Sequence, residues 1–192
     1  NQPLRPEGTV LVTGGGHNTD TRDDGHAALA AELWSPTTET WTTMASMAIP
    51  RMYHSTALLL PDGRVLSAGG GRFGNGGDSG DKVNDENYSP PYLFKGPRPS
   101  VTDVASTMQY GSTFSVTTPD AARIRSVVLI RLGSVTHNFN HSQRFLNTLS
   151  FQTNRNTLQV QAPETSTEAL PGHYMLFIVD DNGVPSVAPI VE

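Results

Sequence analysis

Gly8-Thr9-Val10-Leu11-Val12-Thr13-Gly14-Gly15-Gly16 returns 55 residues later as Gly63-Arg64-Val65-Leu66-Ser67-Ala68-Gly69-Gly70-Gly71. Each copy is an apolar, partly β-branched run closed by three glycines, the composition of a strand that ends in a sharp turn. A second pair falls in step with the first. Glu32-Leu33-Trp34-Ser35-Pro36 and Glu86-Asn87-Tyr88-Ser89-Pro90 lie 54 residues apart. A period of about 50 residues belongs to repeat architectures whose unit is one small sheet.

An apolar strand ending in Gly-Gly, then an aromatic strand ending in Pro and a later tryptophan, Trp41, is the pattern of a kelch-type β-propeller blade. Two such blades are expected over residues 1–94, with Trp34 and Trp41 packed between blades. Two blades cannot close a propeller, since even small ones use about four, so only a partial propeller is expected. Its open faces require missing blades, another chain or aggregation to cover them. Helix content is expected to be minimal despite the helix-favouring run Ala27-Ala28-Leu29-Ala30-Ala31, because the repeat places a strand near there.

The repeat stops at Lys95-Gly96-Pro97-Arg98-Pro99-Ser100, a short stiff connection. Beyond it, turn residues separate expected strands at Thr113–Thr117, Ser126–Leu132, Arg144–Phe151, Leu158–Ala162, His173–Asp180 and Ser186–Val191. Val127-Val128-Leu129-Ile130 is continuously apolar, as in a strand at the centre of a sandwich. Asp181-Asn182-Gly183 contains the Asn-Gly of a tight hairpin. About seven short strands over residues 98–192 read as an immunoglobulin-like β-sandwich. The fold class expected is therefore all-β.

Eighteen glycines, fourteen prolines and 16% charged residues suit such a loop-rich β protein. The net charge of −5 argues against nucleic acid as a partner, because a phosphate-binding face needs a basic excess. No run approaches the ~18 apolar residues of a membrane span. The absence of cysteine leaves the redox compartment undetermined. The chain opens at Asn1 without Met or a signal peptide and enters a strand almost at once, so it is expected to be the tail of a longer protein.

The chemistry concentrates in Arg51-Met52-Tyr53-His54-Ser55 and, about eighty residues on, Thr136-His137-Asn138. Adjacent residues of a regular strand point to opposite faces, so Tyr53 and His54 can meet one metal only where the strand begins or bends. Ile49-Pro50-Arg51 supplies such an entry. The plainer reading of the pair is a buried tyrosine and a hydrogen-bonded histidine at a sheet edge. Phenol and imidazole together suit Cu(II) better than zinc.

The runs Pro50-to-Gly71 and Leu170-to-Val191 resemble the galactose oxidase and glyoxal oxidase family, the copper radical oxidases. The likeness is close from Ile49 to Gly71 and extends throughout Arg98–Glu192, whereas residues 1–48 show only a general kelch likeness. The resemblance implies a copper site in which Tyr53 is an axial ligand and general base. His54 and His137 are implied as equatorial ligands. It also implies a fourth ligand upstream, a tyrosine cross-linked to a cysteine as a radical cofactor, which a chain without cysteine cannot supply. The substrate implied is a primary alcohol, aldehyde or carbohydrate, with O₂ as oxidant and H₂O₂ as product. The location implied is secreted or cell-surface.

His141, four residues after His137, is expected to be a loop residue near the site, and Arg144 a structural one. His17, His26 and His173 have no partner at ligand spacing, and His173 is expected to pack in a strand. The acidic, glycine-rich segments 20–25 and 74–86 do not match a calcium loop and are expected to be solvated. The imidazoles of His54 and His137 are expected to reach one metal, the loop around His137 turning back toward the blades. A different class remains open: a non-catalytic kelch-plus-sandwich module that binds glycans or proteins.

Overall fold

The computed structural model describes residues 1–17, 23–71, 81–136, 139–147 and 149–192. Those residues form sixteen strands and three short 3-10 turns, so the protein is all-β. They fall into two compact units, Asn1–Leu60 with Arg64–Tyr88 and Gly133–Gln143, and Pro61–Gly63 with Ser89–Leu132 and Arg144–Glu192.

The first unit contains two three-stranded antiparallel sheets. One is β1 (Val10–Val12), β2 (Ala30–Ser35) and β3 (Thr40–Ser46); the other is β4 (Ser55–Leu59), β5 (Val65–Gly69) and β6 (Asp85–Tyr88), each in sequence order. The repeat is visible in the pairing: Val12 faces Glu32 in the first sheet, and Ser67 faces Glu86 in the second. The alanine-rich run therefore enters a strand, as the repeat required.

Both sheets bury a face in one small core of Leu11, Ala31, Ala57 and Val65. Leu11 and Leu66 are equivalent by the repeat, as are Val10 and Val65. Leu11 and Val65 are fully buried, whereas Val10 and Leu66 are only half-buried. The related sheets thus bury opposite faces, which leaves each with a second face of half-apolar character. Trp34 and Trp41 stand directly opposite each other on β2 and β3. Trp41 remains 56% exposed, contrary to the expected packing. Its strand is the sheet edge, and alternation turns it away from the face carrying Leu33 and Leu11.

The second unit begins with β7 (Asp103–Val104), β8 (Thr113–Thr117) and β9 (Ile124–Arg131). A hairpin of β10 (Ser134–Thr136) and β11 (Phe139–His141) follows, and it groups with the first unit. The second unit resumes with β12 (Phe145–Leu146), β13 (Phe151–Asn154), β14 (Thr157–Gln161), β15 (Tyr174–Asp180) and β16 (Ile190–Val191). Two four-stranded sheets result, β12-β9-β15-β16 and β13-β14-β8-β7. Phe114, Val116, Leu158 and Val160 of one pack with Val127, Leu129, Leu176 and Ile178 of the other. All seven residues of β15 are buried, as for a strand covered on both faces.

Two expected strands differ from the structure. The segment Arg144–Phe151 is broken, because Phe145–Leu146 pairs with β9 and Phe151–Asn154 with β14, so the chain changes sheets between them. Of Ser186–Val191 only Ile190–Val191 joins the ladder. Pro185 and Pro189 bracket the remainder, and neither has an N–H to donate.

A polar network closes the sandwich at the Asn-Gly turn. Gly183 takes a φ of 76°, and the buried Asp180 carboxylate accepts the N–H of Asn182 at 3.0 Å and of Val184 at 2.8 Å. Its other oxygen accepts from Arg123, which also donates to Asp120 at 3.1 Å. Burial alone would raise the Asp120 pKa, but the Ser100 N–H and the Arg123 bond and charge together hold it below the ordinary 3.8. A carboxylate depressed in the folded state stabilises fully above its unfolded value and loses that contribution as pH falls through the folded one. Urea midpoints should therefore decline as pH is lowered below the ordinary carboxylate range, and Asp120→Asn should flatten that acid limb of the profile.

At the start of the second unit Arg98 donates to the carbonyls of Asp62, Pro185 and Ser186 at 2.6, 2.9 and 2.5 Å. The Tyr92 hydroxyl donates to Gly63 O. Among the described residues no helix is long and apolar enough to cross a membrane.

Candidate metal centre

Tyr53 and His54 sit in a tight turn immediately before β4. Ser55 N donates to Met52 O at 3.2 Å, and His54 takes the left-handed conformation with φ 63°. This bend removes the alternation that would send neighbouring side chains to opposite faces. The two rings lie side by side instead, centroids 3.8 Å apart and planes 31° from parallel. Tyr53 is half-buried and His54 exposed, so the phenol and imidazole form one patch open on the imidazole side.

The glycine triplets of the repeat hold this turn. Gly71 N donates to Tyr53 O at 2.9 Å, and Gly15 N donates to Arg51 O at 2.9 Å. A Cβ on Gly14 would stand 2.5 Å from Arg51 O, so this position must be glycine for the chains to approach. Beneath the turn, the Arg51 guanidinium is wholly buried. Its Nη1 donates to Gly69 O at 2.9 Å and Asn84 O at 3.0 Å, and its Nη2 lies 3.5 Å from Glu86 Oε2. Glu86 in turn accepts from Ala48 N at 2.7 Å and Ile49 N at 3.3 Å. Arg51 lies inside the quoted run, yet nothing in the spacing marks it as the residue that fixes the turn. Glu86 carries a faint signal, being the repeat partner of Glu32.

His137 and Asn138, between β10 and β11, lie outside the described residues. The strands on either side do not: Ser134 pairs with His141 and Thr136 with Phe139. Asn140 Nδ2 donates to Ala57 O of β4 at 3.4 Å, and Gln143 holds Leu4 N at 2.8 Å and Gln2 O at 2.9 Å. These contacts hold β10 and β11 within the same compact unit as Tyr53 and His54.

Three other histidines have local surroundings of their own. His141 closes β11, where it is exposed and stacked on Phe139 at 5.7 Å, so it is a strand residue and not part of a loop. His26 Nδ1 is 2.5 Å from Asp23 Oδ2. His173 is exposed, not packed; it precedes β15, and Tyr174 takes the buried position. Arg144 is structural, donating to the carbonyls of Thr167 and Glu168 at 2.7 Å each. Much of segments 20–25 and 74–86 lies outside the described residues; from their described parts Lys82 and Asp24 form an ion pair at 2.8 Å. Among the described residues no group of three or more His, Cys, Asp or Glu side chains could hold a metal. A phenol and an imidazole already side by side nevertheless fit a copper ion as donors.

Residues 98–192 match the family model described as galactose oxidase-like, Early set domain. The chain is 32% identical to a galactose oxidase of Gibberella zeae over 97% of its own length and 28% of the relative's. It is 34% identical to an aldehyde oxidase GLOX of Vitis pseudoreticulata over 78% of its length and 31% of that protein's. A solved structure of a fungal alcohol oxidase of the AA5 family, in complex with copper, superposes with a TM-score of 0.90 at 31% identity, over all of this chain and 41% of that one. The chain thus spans less than a third of the length of these two curated relatives.

Proposed function

This chain belongs to the galactose oxidase and glyoxal oxidase family, and we propose that it is the portion of a copper radical oxidase that supplies three copper ligands: Tyr53, His54 and His137. The observation that carries this reading is the turn that sets the Tyr53 and His54 rings 3.8 Å apart. The grouping of Gly133–Gln143 with those residues supports His137 as the third donor. The reaction is oxidation of a primary alcohol or aldehyde hydrate by O₂. Two electrons and two protons leave the substrate, and O₂ takes both to give H₂O₂. Bound copper would accept one electron, and a Tyr-Cys cofactor elsewhere in the parent protein the other.

The residues of this chain bind and orient. His54 and His137 would hold the ion through ring nitrogens, a donor type that suits copper. Tyr53 takes the hydroxyl proton of the substrate as general base. The domains proposed are kelch-type blades over residues 1–94 and an immunoglobulin-like sandwich over 98–192. Burial of opposite faces by repeat-related sheets supports the first, because such a stack is extended by further blades on both sides. Those blades, a small alcohol, aldehyde or carbohydrate and O₂ are the partners proposed, and the location is secreted or cell-surface.

The test is activity measured beside binding. The chain alone should give a Cu(II) EPR signal but no H₂O₂ from a primary alcohol, since it has no cysteine for the cross-link. The parent protein, carrying that cross-link, should produce H₂O₂. Peroxide formation by a parent protein lacking an upstream tyrosine and cysteine would overturn the reading. The glycan- or protein-binding alternative has one observation in its favour, the exposed Trp41 beside Trp34. It leads if copper binding proves indifferent to His54 and His137.

A further inference from the structure

The hairpin β10–β11 is short and buries almost nothing. Its three residue pairs are half-buried at best, and among the described residues neither strand contributes to the sandwich core or to the small core of the two three-stranded sheets. A two-stranded ribbon of this kind is marginal by itself, so apolar burial does not fix its orientation. Polar ties do. Gln143 accepts from Leu4 N at 2.8 Å and donates to Gln2 O at 2.9 Å, and it also reaches Asn140 O at 3.4 Å. The segment it grips is itself tied to β1, since Leu4 bridges Val10 and Leu11 N donates to Pro3 O at 3.2 Å. Asn140 donates to Ala57 O, on the strand that starts directly after His54. The two amides therefore fasten the hairpin to both sheets of the unit at once. A Cβ on Gly133 would stand 2.0 Å from Asn140 Oδ1, so the amide occupies space at the base of the hairpin that a glycine leaves open.

We infer that Gln143 and Asn140 are positioning residues, whose amides set the hairpin containing His137 against the strand that follows His54. This rests on the copper reading above. Neither residue touches the metal; each acts through the backbone it fastens.

Two measurements on the full 192-residue chain test it. The first is independent of copper. Gln143→Ala and Asn140→Ala should speed amide hydrogen exchange in residues 134–141 while leaving β9 and β15 unchanged. Faster exchange everywhere, or nowhere, overturns the assignment. The second is a titration with Cu(II) alone. Each variant should bind about 10–100-fold more weakly, the range for residues that orient a ligand without being one. Gln143→Glu, which keeps the acceptor for Leu4 N, should recover part of the loss. Unchanged affinity and EPR pattern in variants whose hairpin exchanges faster would show that the ties hold structure without placing a ligand. If the unmodified chain binds copper without needing His54 or His137, the copper reading itself fails, and the inference falls with it, even where hydrogen exchange shows that the ties hold the hairpin.

Discussion

Asp180→Ala should cost the protein about 3–5 kcal/mol, read as a lower urea midpoint at unchanged slope. The carboxylate is 1% exposed. One oxygen accepts two backbone N–H groups of the closing turn, and the other accepts from Arg123. Truncation leaves the N–H groups of Asn182 and Val184 without their acceptor and strips Arg123 of its buried partner. An unpaired buried donor costs more than its hydrogen bond contributes, which is why the loss exceeds that of a surface pair. Asp180→Asn keeps the shape and one acceptor oxygen, so it should lose markedly less. Equal losses in the two variants would show that the charge, not the turn, dominates.

Arg51→Met should be comparably damaging, at about 3–5 kcal/mol, and should act on the other unit. The apolar stem is retained, so packing changes little. What disappears is the donor shared by Gly69 O and Asn84 O, together with the partner of Glu86. Those groups hold the turn that sets Tyr53 beside His54. Copper affinity should therefore fall at least tenfold even under conditions where the variant remains folded. Arg51→Lys keeps the charge but not the planar fork, and should restore stability only in part. A variant that unfolds more easily yet binds copper as before would separate Arg51 from the site.

The repeat and the alternation made the sheets legible. Val65–Gly69 and Thr113–Thr117 are strands because their sequences leave no competing periodicity. The break inside Arg144–Phe151 was not legible, since pairing to two different sheets is decided by partners far away in sequence. Tyr53 and His54 stood out by residue type. Their juxtaposition depends on a left-handed φ at His54, a conformation uncommon for residues other than glycine, which no spacing announces. Asn140 carried no signal, because an amide that grips backbone looks like any surface polar residue. Arg98 likewise reads as part of a connection, yet it fastens three carbonyls.

The most direct test of the copper half-site is Cu(II) titration of the chain with EPR of each of four histidine variants. His54→Ala and His137→Ala should each weaken binding by more than the roughly 10–100-fold expected for an orienting residue, and each should remove one nitrogen ligand from the spectrum. His26→Ala and His173→Ala, whose side chains are a hydrogen-bond partner of Asp23 and an exposed group before β15, should leave affinity and spectrum unchanged. The same affinity and spectrum in all four variants would contradict the site.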